Sequence, residues 1–314
     1  MPNKEKYEWI YDDYAQSANT LFHFMKKPEY LKEILLKKAI VPRYCKENMD
    51  YLSLCSGSTS FREVLVLQKC FCDIPFHKLT ENFYLRGEGE NYEKLTDEEK
   101  KFLSGNNTHP DFYGEYGIAF SKSWGERQNL QPIHYLSEQS QYTKELSGLV
   151  EYVLNADEVP DLYADDILNR LSFVKPLRGI MKRKIRREGG EELEVSFYKN
   201  FHDEQEWRYV PGREALAAAK VEQVIANPHM LRMNEDGMDI NAGLAGEAYS
   251  SLWLKYSYED IRYIIVPDAN ARIDMIRTIL SVPEDKFSSQ SDISMQKHIL
   301  ISKILVLTEI RKDW

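Results

Sequence analysis

Glu204 and Glu206 stand two residues apart in "HDEQEWRYV", residues 202–210. On a strand, that spacing sets both carboxylates on one face with Arg208 beside them. Two crowded carboxylates repel, which raises the pKa of one and can hold a proton donor next to an acceptor. Arg208 could instead pair with one of them and leave a salt-bridged acidic turn. His23 lies between Phe22 and Phe24 in "ANTLFHFM". An imidazole there could donate to one ligand hydroxyl and accept from another, or simply pack as a core histidine. The third stretch is "YGEYGIAFSKSW", residues 113–124. Gly117 lets the backbone approach a flat ligand. Tyr113, Tyr116 and Phe120 could stack on it, and Ser121 and Ser123 offer hydroxyls. The same residues also describe a hairpin whose rings are core.

These residues need elements to hold them. "ANTLFHFM" reads as a short aromatic strand. In the segment after it, Leu31, Ile34 and Leu35 recur at helical spacing between Pro28, suited to a first helical turn, and Pro42, which stops the pattern. "FREVLVLQKCFCDIPF" predicts one or two buried strands. Residues 86–110 form a polar insertion, in which Thr96 and Glu99 match a capping box. "YGIAFSKSW", "LQPIHYL" and "GLVEYVLNADEV" are further strand candidates, and "EELEVSFYKNFHDEQEWRYVP" has strand character on both sides of an acidic turn. "SYEDIRYIIVPDANARIDMIRTIL" reads as strand, turn and helix, and "SKILVLTEIRKDW" as a last strand with a tail. There is no regular βαβ spacing and no glycine-rich phosphate loop. The expected fold is α+β: one domain over 1–314, with insertions near 80–112 and 140–195.

With 41 basic and 50 acidic residues the chain carries −9, and 43% of its 314 residues are apolar. Such a chain can bury a large core and as a whole repels nucleic acid and anionic membranes. Residues 175–187 run against that balance, with seven Lys or Arg in thirteen positions. Lys182, Arg183, Lys184, Arg186 and Arg187 could grip RNA or DNA phosphates, or pair with flanking acids on a solvated hairpin. Cys45, Cys55, Cys70 and Cys72 read as reduced thiols. "CFC" would need two more ligands, with His77 and His109 the nearby candidates, and no metal is expected. A nuclease built on Asp73, Asp203 and Glu204 lacks a favourable ligand spacing. No apolar run reaches the ~18 residues of a membrane span, and "MPNKEKYEWIYDDY" is charged from the start, so a cytoplasmic location is expected.

Taken in order, the His-bearing strand, the "LKEILLKKAI" helix, "YGIAFSKS" and "EQE" resemble the ADP-ribosyltransferase superfamily, in its branch with His, aromatic and Glu. "GIAFSKS" is similar to the glycine-aromatic segment and following serines of the poly-ADP-ribose polymerase group, and "EQEW" to a paired-acid motif whose second Glu is catalytic. From residue 19 onward, "NTLFHFMKKPEYLKEIL", "PRYCKE", "CFCDIP", "YGIAFSKSWGE", "EQEWRYV", "SYEDIRYIIVP" and "SKILVLTEIRKDW" resemble the bacterial abortive-infection family AbiGi, linked to phage defence.

The resemblance implies an ADP-ribosyltransferase-like split β-sheet, NAD as cosubstrate and a nucleic-acid or protein acceptor. It also implies a genetically linked toxin or antitoxin partner. The family's label of antitoxin implies the alternative of a catalytically silent antitoxin or phage sensor. Carried over, His23 with Thr20 would bind the adenine-side ribose, Arg43 the pyrophosphate, and Tyr116 or Phe120 would flank the nicotinamide beside Gly117 and Ser121. Glu206 would hold the nicotinamide ribose and stabilise the oxocarbenium-like transition state, while Glu204 would position or deprotonate the acceptor. Ala119 departs from the pattern, because the polymerase group has Tyr there.

Overall fold

Thr20–Met25 (β1) is extended, as its aromatic and β-branched residues favour. Pro28 then opens helix α1, Pro28–Lys37, and Lys38 in the left-handed region closes it. α1 buries Leu31, Ile34 and Leu35, each contributing about 1.5–3 kcal/mol. Strands β2, Arg43–Asn48, and β3, Glu63–Cys72, follow, then β4, Leu85–Glu88. Helix α2, Asp97–Gly105, starts at the expected Thr96–Glu99 capping box. Helix α3, His109–Tyr113, leads through Gly114 into β5, Tyr116–Ser121. β6, Gln131–Pro132, precedes helices α4, Gln141–Asn155, and α5, Asp161–Leu168. A basic hairpin comes next, β7, Arg178–Arg186, and β8, Glu192–Asn200. The chain finishes with β9, Glu206–Tyr209, β10, Ile261–Val266, α6, Ala269–Ser281, β11, Ile304–Val306, and α7, Leu307–Asp313. This computed structural model describes residues 17–187, 190–226, 240–287 and 292–313. The charged stretch 1–14, on which the location was read, lies outside them.

The main sheet runs β11-β10-β5-β1-β3-β9-β6, with β2 also on β3. One face carries Leu21, Met25, Ile118, Phe120 and Ile264 against α1 and against Met275 and Ile279 of α6. The other carries Phe22, Phe24, Ala119 and Ile265 against Leu307. β1 pairs with β5 along its whole length, but with β3 only at Phe22 and Cys72. β3 instead gives its first half to β2, from Glu63 to Gln68. The sheet therefore opens between β1 and β3, directly at His23.

Two regions leave this sheet, residues 85–113 and 141–200. They join each other, since β4 pairs with β8 from Ser196 to Lys199, in a small sheet ordered β7-β8-β4. Two strand expectations fail. "GLVEYVLNADEV" belongs to α4: Ser140 caps the helix by accepting the Thr143 N–H, and Thr143, Leu146 and Val150 are buried at helical, not alternating, spacing. In "SKILVLTEIRKDW" the strand is confined to Ile304–Val306, and Leu307–Asp313 is α7.

Gly114 makes the turn from α3 into β5 at φ 118°. A Cβ on it would lie 2.1 Å from the Met25 carbonyl carbon, which is backbone and cannot swing away. Gly114→Ala is expected to lower stability by about 1–3 kcal/mol in denaturant unfolding. A change below ~0.5 kcal/mol would mean that the turn relaxes freely.

Candidate functional site

The opening between β1 and β3 is a cavity of about 220 Å³. Its walls are Phe22, Phe24, Phe71 and Tyr113, and its polar lining includes His23, Gln68, Lys175, Glu204 and Glu206. Phe22 and Phe24 lie nearly parallel, with ring centroids 6.0 Å apart.

His23 sits where the β1–β3 ladder would have continued. Its Nδ1 lies 2.8 Å from the Cys70 carbonyl oxygen. A carbonyl only accepts, so Nδ1 carries the proton and Nε2 is left as an acceptor. Burial, helped by nearby Lys69, pushes the imidazole pKa down to about 3, so the ring is neutral.

Glu204 ends a short 3-10 turn, Phe201–Glu204, and Glu206 begins β9. Between them Gln205 is left-handed, at φ 44°. Both carboxylates do converge as expected, but through this kink and not by strand alternation. A glycine tolerates that conformation without strain and a β-branched residue does not. Gln205→Gly is thus expected to leave thermal stability unchanged or raise it by up to ~1 kcal/mol, and Gln205→Val to lower it by more than ~1 kcal/mol. If Val melts like Gly, the kink is not imposed by the fold.

The carboxylates do not crowd into a proton-sharing pair, which corrects the raised-pKa expectation. Lys175 Nζ stands between them, 2.6 Å from Glu204 Oε2 and 3.0 Å from Glu206 Oε2. Lys199 Nζ adds a contact to Glu204 Oε1 at 2.7 Å, and Tyr113 donates its hydroxyl to the same carboxylate. Arg208, fully buried, donates from Nε to Glu206 Oε1 at 2.6 Å and reaches Glu47 at 3.1 Å. The expected Glu206–Arg208 pairing is therefore present. Burial alone would raise both acids. Lys175 and Lys199 override it at Glu204, and Arg208 and Lys175 at Glu206, so both stay ionised well below the usual carboxylate range.

Several expected site residues do not reach the cavity. Phe120 is wholly buried on the α1 face, stacked on Trp124 at 4.0 Å, so it cannot flank a ligand. Tyr116 packs on the same core. Ser121 caps the turn that follows β5 by accepting the Trp124 N–H, and Thr20 is buried opposite Ser121. Gly117 faces the Phe24 ring, where a Cβ would come within 3.1 Å of it. Ala119 is buried among Phe22, Phe24 and Ile265. Of the three aromatic residues expected to stack, only Tyr113, from helix α3, reaches the wall.

Arg43 lines a second cavity of about 500 Å³, which shares His23 and Phe24 with the first and adds Lys26, Lys27 and Lys69. The two cavities adjoin at His23 and Phe24, which line both. In the basic hairpin, Lys182 and Lys184 face Glu194 and Glu192 across the strands. Arg187 pairs with Glu99, Arg183 donates to the Asn106 carbonyl, and Arg186 is exposed. The solvated-hairpin alternative thus accounts for most of these charges. Asp73 is tied to Lys122 at 2.6 Å and Asp203 to Asn200, so neither joins Glu204 around a metal. Among the described residues no group of three or more His, Cys, Asp or Glu could hold a metal ion, and no helix is long and apolar enough to cross a membrane.

Lys175 and Lys199 were not read as site residues. Lys199 has a signal of its own: it falls in phase with the buried Val195 and Phe197 of β8, where a lysine needs a buried partner. Lys175 had only its place at the edge of the basic stretch.

The site is thus a buried carboxylate pair clamped by cations beside an aromatic-walled cavity. Residues 103–267 match the family model described as "Putative abortive phage resistance protein AbiGi, antitoxin". The chain is also similar to the abortive phage resistance protein AbiGi of Lactococcus lactis subsp. cremoris, 31% identical over 288 residues, 88% of this chain and all of that relative. It is an anti-phage protein of the abortive-infection type, and it belongs to the AbiGi family. The matched segment contains Tyr113, Lys175, Lys199, Glu204 and Glu206. No solved structure matches the chain.

Proposed function

We propose that the cleft binds NAD and that Glu206 serves ADP-ribosyl transfer in phage defence. The observation that carries this is the ionised, buried Glu206 beside a ring-walled cavity, at the point where β1 and β3 part around a neutral His23. A cavity of about 220 Å³ takes a nicotinamide-sized ring and not a dinucleotide. The diphosphate and adenosine would lie along the basic cavity, past Arg43 and Lys69. Parting of the two strands also supports the ADP-ribosyltransferase-like split-sheet reading of the fold.

In the reaction the bond between nicotinamide nitrogen and ribose C1′ breaks, and a bond from C1′ to the acceptor's nucleophile forms as the acceptor loses its proton. Positive charge builds on the ribose between these events. Glu206, fixed by Arg208 and Lys175, places negative charge against it without reorganising. Glu204, held low by two lysines, is a weak base and is better suited to positioning the acceptor. The test is titration calorimetry with NAD, followed by transfer of labelled ADP-ribose to a cell lysate containing RNA, DNA and protein. Binding with transfer is expected. Absence of both sinks the reading.

Two observations favour a second reading, a binding-only antitoxin acting on a linked toxin. Cations already meet both carboxylates, and the matched family's description carries the word antitoxin. That reading expects neutralisation of the linked toxin to survive Glu206→Ala, and no label transfer at all.

A further inference from the structure

Away from the cleft, helix α4 exposes a stripe that its own core does not need. Tyr142, Leu149 and Tyr152 share one side of the helix and are 55%, 51% and 62% exposed, whereas Thr143, Leu146 and Val150 make the buried side. α5 packs on α4 and adds Leu162 and Tyr163, 56% and 63% exposed. None of the five lines the cleft. Exposed leucines and tyrosines gathered on two neighbouring helices are the mark of an interaction site.

The charge around them indicates what binds. Residues 138–166 contain eight Asp or Glu and one Lys, a net of −7 in a chain whose total is −9. Asp166 is paired with Arg213, and Glu151 accepts the Cys55 N–H. Glu145, Asp157, Glu158 and Asp165 add further negative charge around the stripe. We propose that this face docks a partner protein whose apolar groove is rimmed by Lys and Arg. A second copy of the chain would set −7 against −7. Nucleic acid and anionic membranes are repelled for the same reason. A basic protein gains on both counts, because the tyrosines and leucines bury as anchors while the acidic rim steers the encounter. The inference is independent of what the cleft does.

The probe is a labelled amphipathic helix of about 20 residues, with a leucine stripe rimmed by lysines, and a twin rimmed by glutamates. Anisotropy with the full chain is expected to show the lysine peptide binding at least about tenfold tighter than its twin, and weakening severalfold between about 50 and 300 mM salt. Leu149→Ser combined with Tyr152→Ser should weaken it by about tenfold or more, with an unchanged melting curve because both side chains are exposed. Glu206→Gln should leave peptide binding as it is. The proposal is overturned by absence of binding, by equal binding of the two peptides, or by binding that the double substitution does not change. Sedimentation showing self-association that the same substitutions abolish would also overturn it, by giving the face to a second copy.

Discussion

Lys175→Met is expected to destabilise the protein by about 3–5 kcal/mol at neutral pH, the range for removing one partner from a buried ion cluster. Lys175 contacts both Glu204 and Glu206, and these acids are 4% and 6% exposed. Without it Lys199 still serves Glu204 and Arg208 still serves Glu206, but the inner oxygens face each other unshielded.

The pH dependence should also change sign. In the wild type both folded pKa values lie below the ordinary 4.5, so the carboxylates favour folding above that pH and lose this contribution as pH falls from there through the lowered folded values. In Lys175→Met one carboxylate pKa rises above 4.5. The folded state then binds the extra proton, and the variant should recover stability as pH falls from 7 toward 5. Urea unfolding at several pH values measures both curves. A loss under ~1 kcal/mol, or parallel curves, would show that water reaches the cluster and does the work assigned to Lys175.

Glu206→Gln should lower ADP-ribosyl transfer by about 10²–10³-fold, equivalent to roughly 3–4 kcal/mol of transition-state stabilisation. NAD affinity should fall far less than transfer does, since in the ground state the positive charge sits on the nicotinamide ring and moves onto the ribose only as the bond breaks. Glutamine keeps the shape but turns an N–H₂ group toward Lys175 or Arg208, donor against donor, so folding must be checked by its melting curve. Glu206→Asp supplies the control, because it keeps the charge while drawing it back by one methylene. A folded Gln variant that transfers at the wild-type rate removes Glu206 from the chemistry.

Local pattern revealed much of the frame. The aromatic alternation around His23 marked β1, and Leu31, Ile34 and Leu35 with flanking prolines marked α1. Thr96 and Glu99 marked the start of α2. Spacing also foretold that Glu206 and Arg208 would pair, whereas Glu204 comes beside Glu206 through the kink at Gln205. What spacing could not reveal is the countercharge. Lys199 reaches the acids from the inserted hairpin, and Lys175 from the short strand Val174–Pro176, paired with His134–Leu136. Pairings between distant segments leave no periodic trace in the chain. Tyr113 was visible as a ring, but β5 was expected to present the stacking face, and the ring that lines the cavity belongs to α3. α4 misled for a different reason, because its second half is a short apolar run of Val, Leu and Tyr, while the whole helix repeats every three to four residues.

The order of strands in the sheet has a consequence for synthesis. β1 and β5 are made early, yet β5 keeps one bare edge until β10, at residues 261–266, leaves the ribosome to cover it. The two glutamates arrive more than 180 residues after His23. At roughly 5–20 residues per second, the nascent chain spends many seconds with an incomplete sheet and no cleft. A product terminated before residue 204 would lack both glutamates, and one terminated before residue 261 would carry them on a sheet whose β5 edge is still bare.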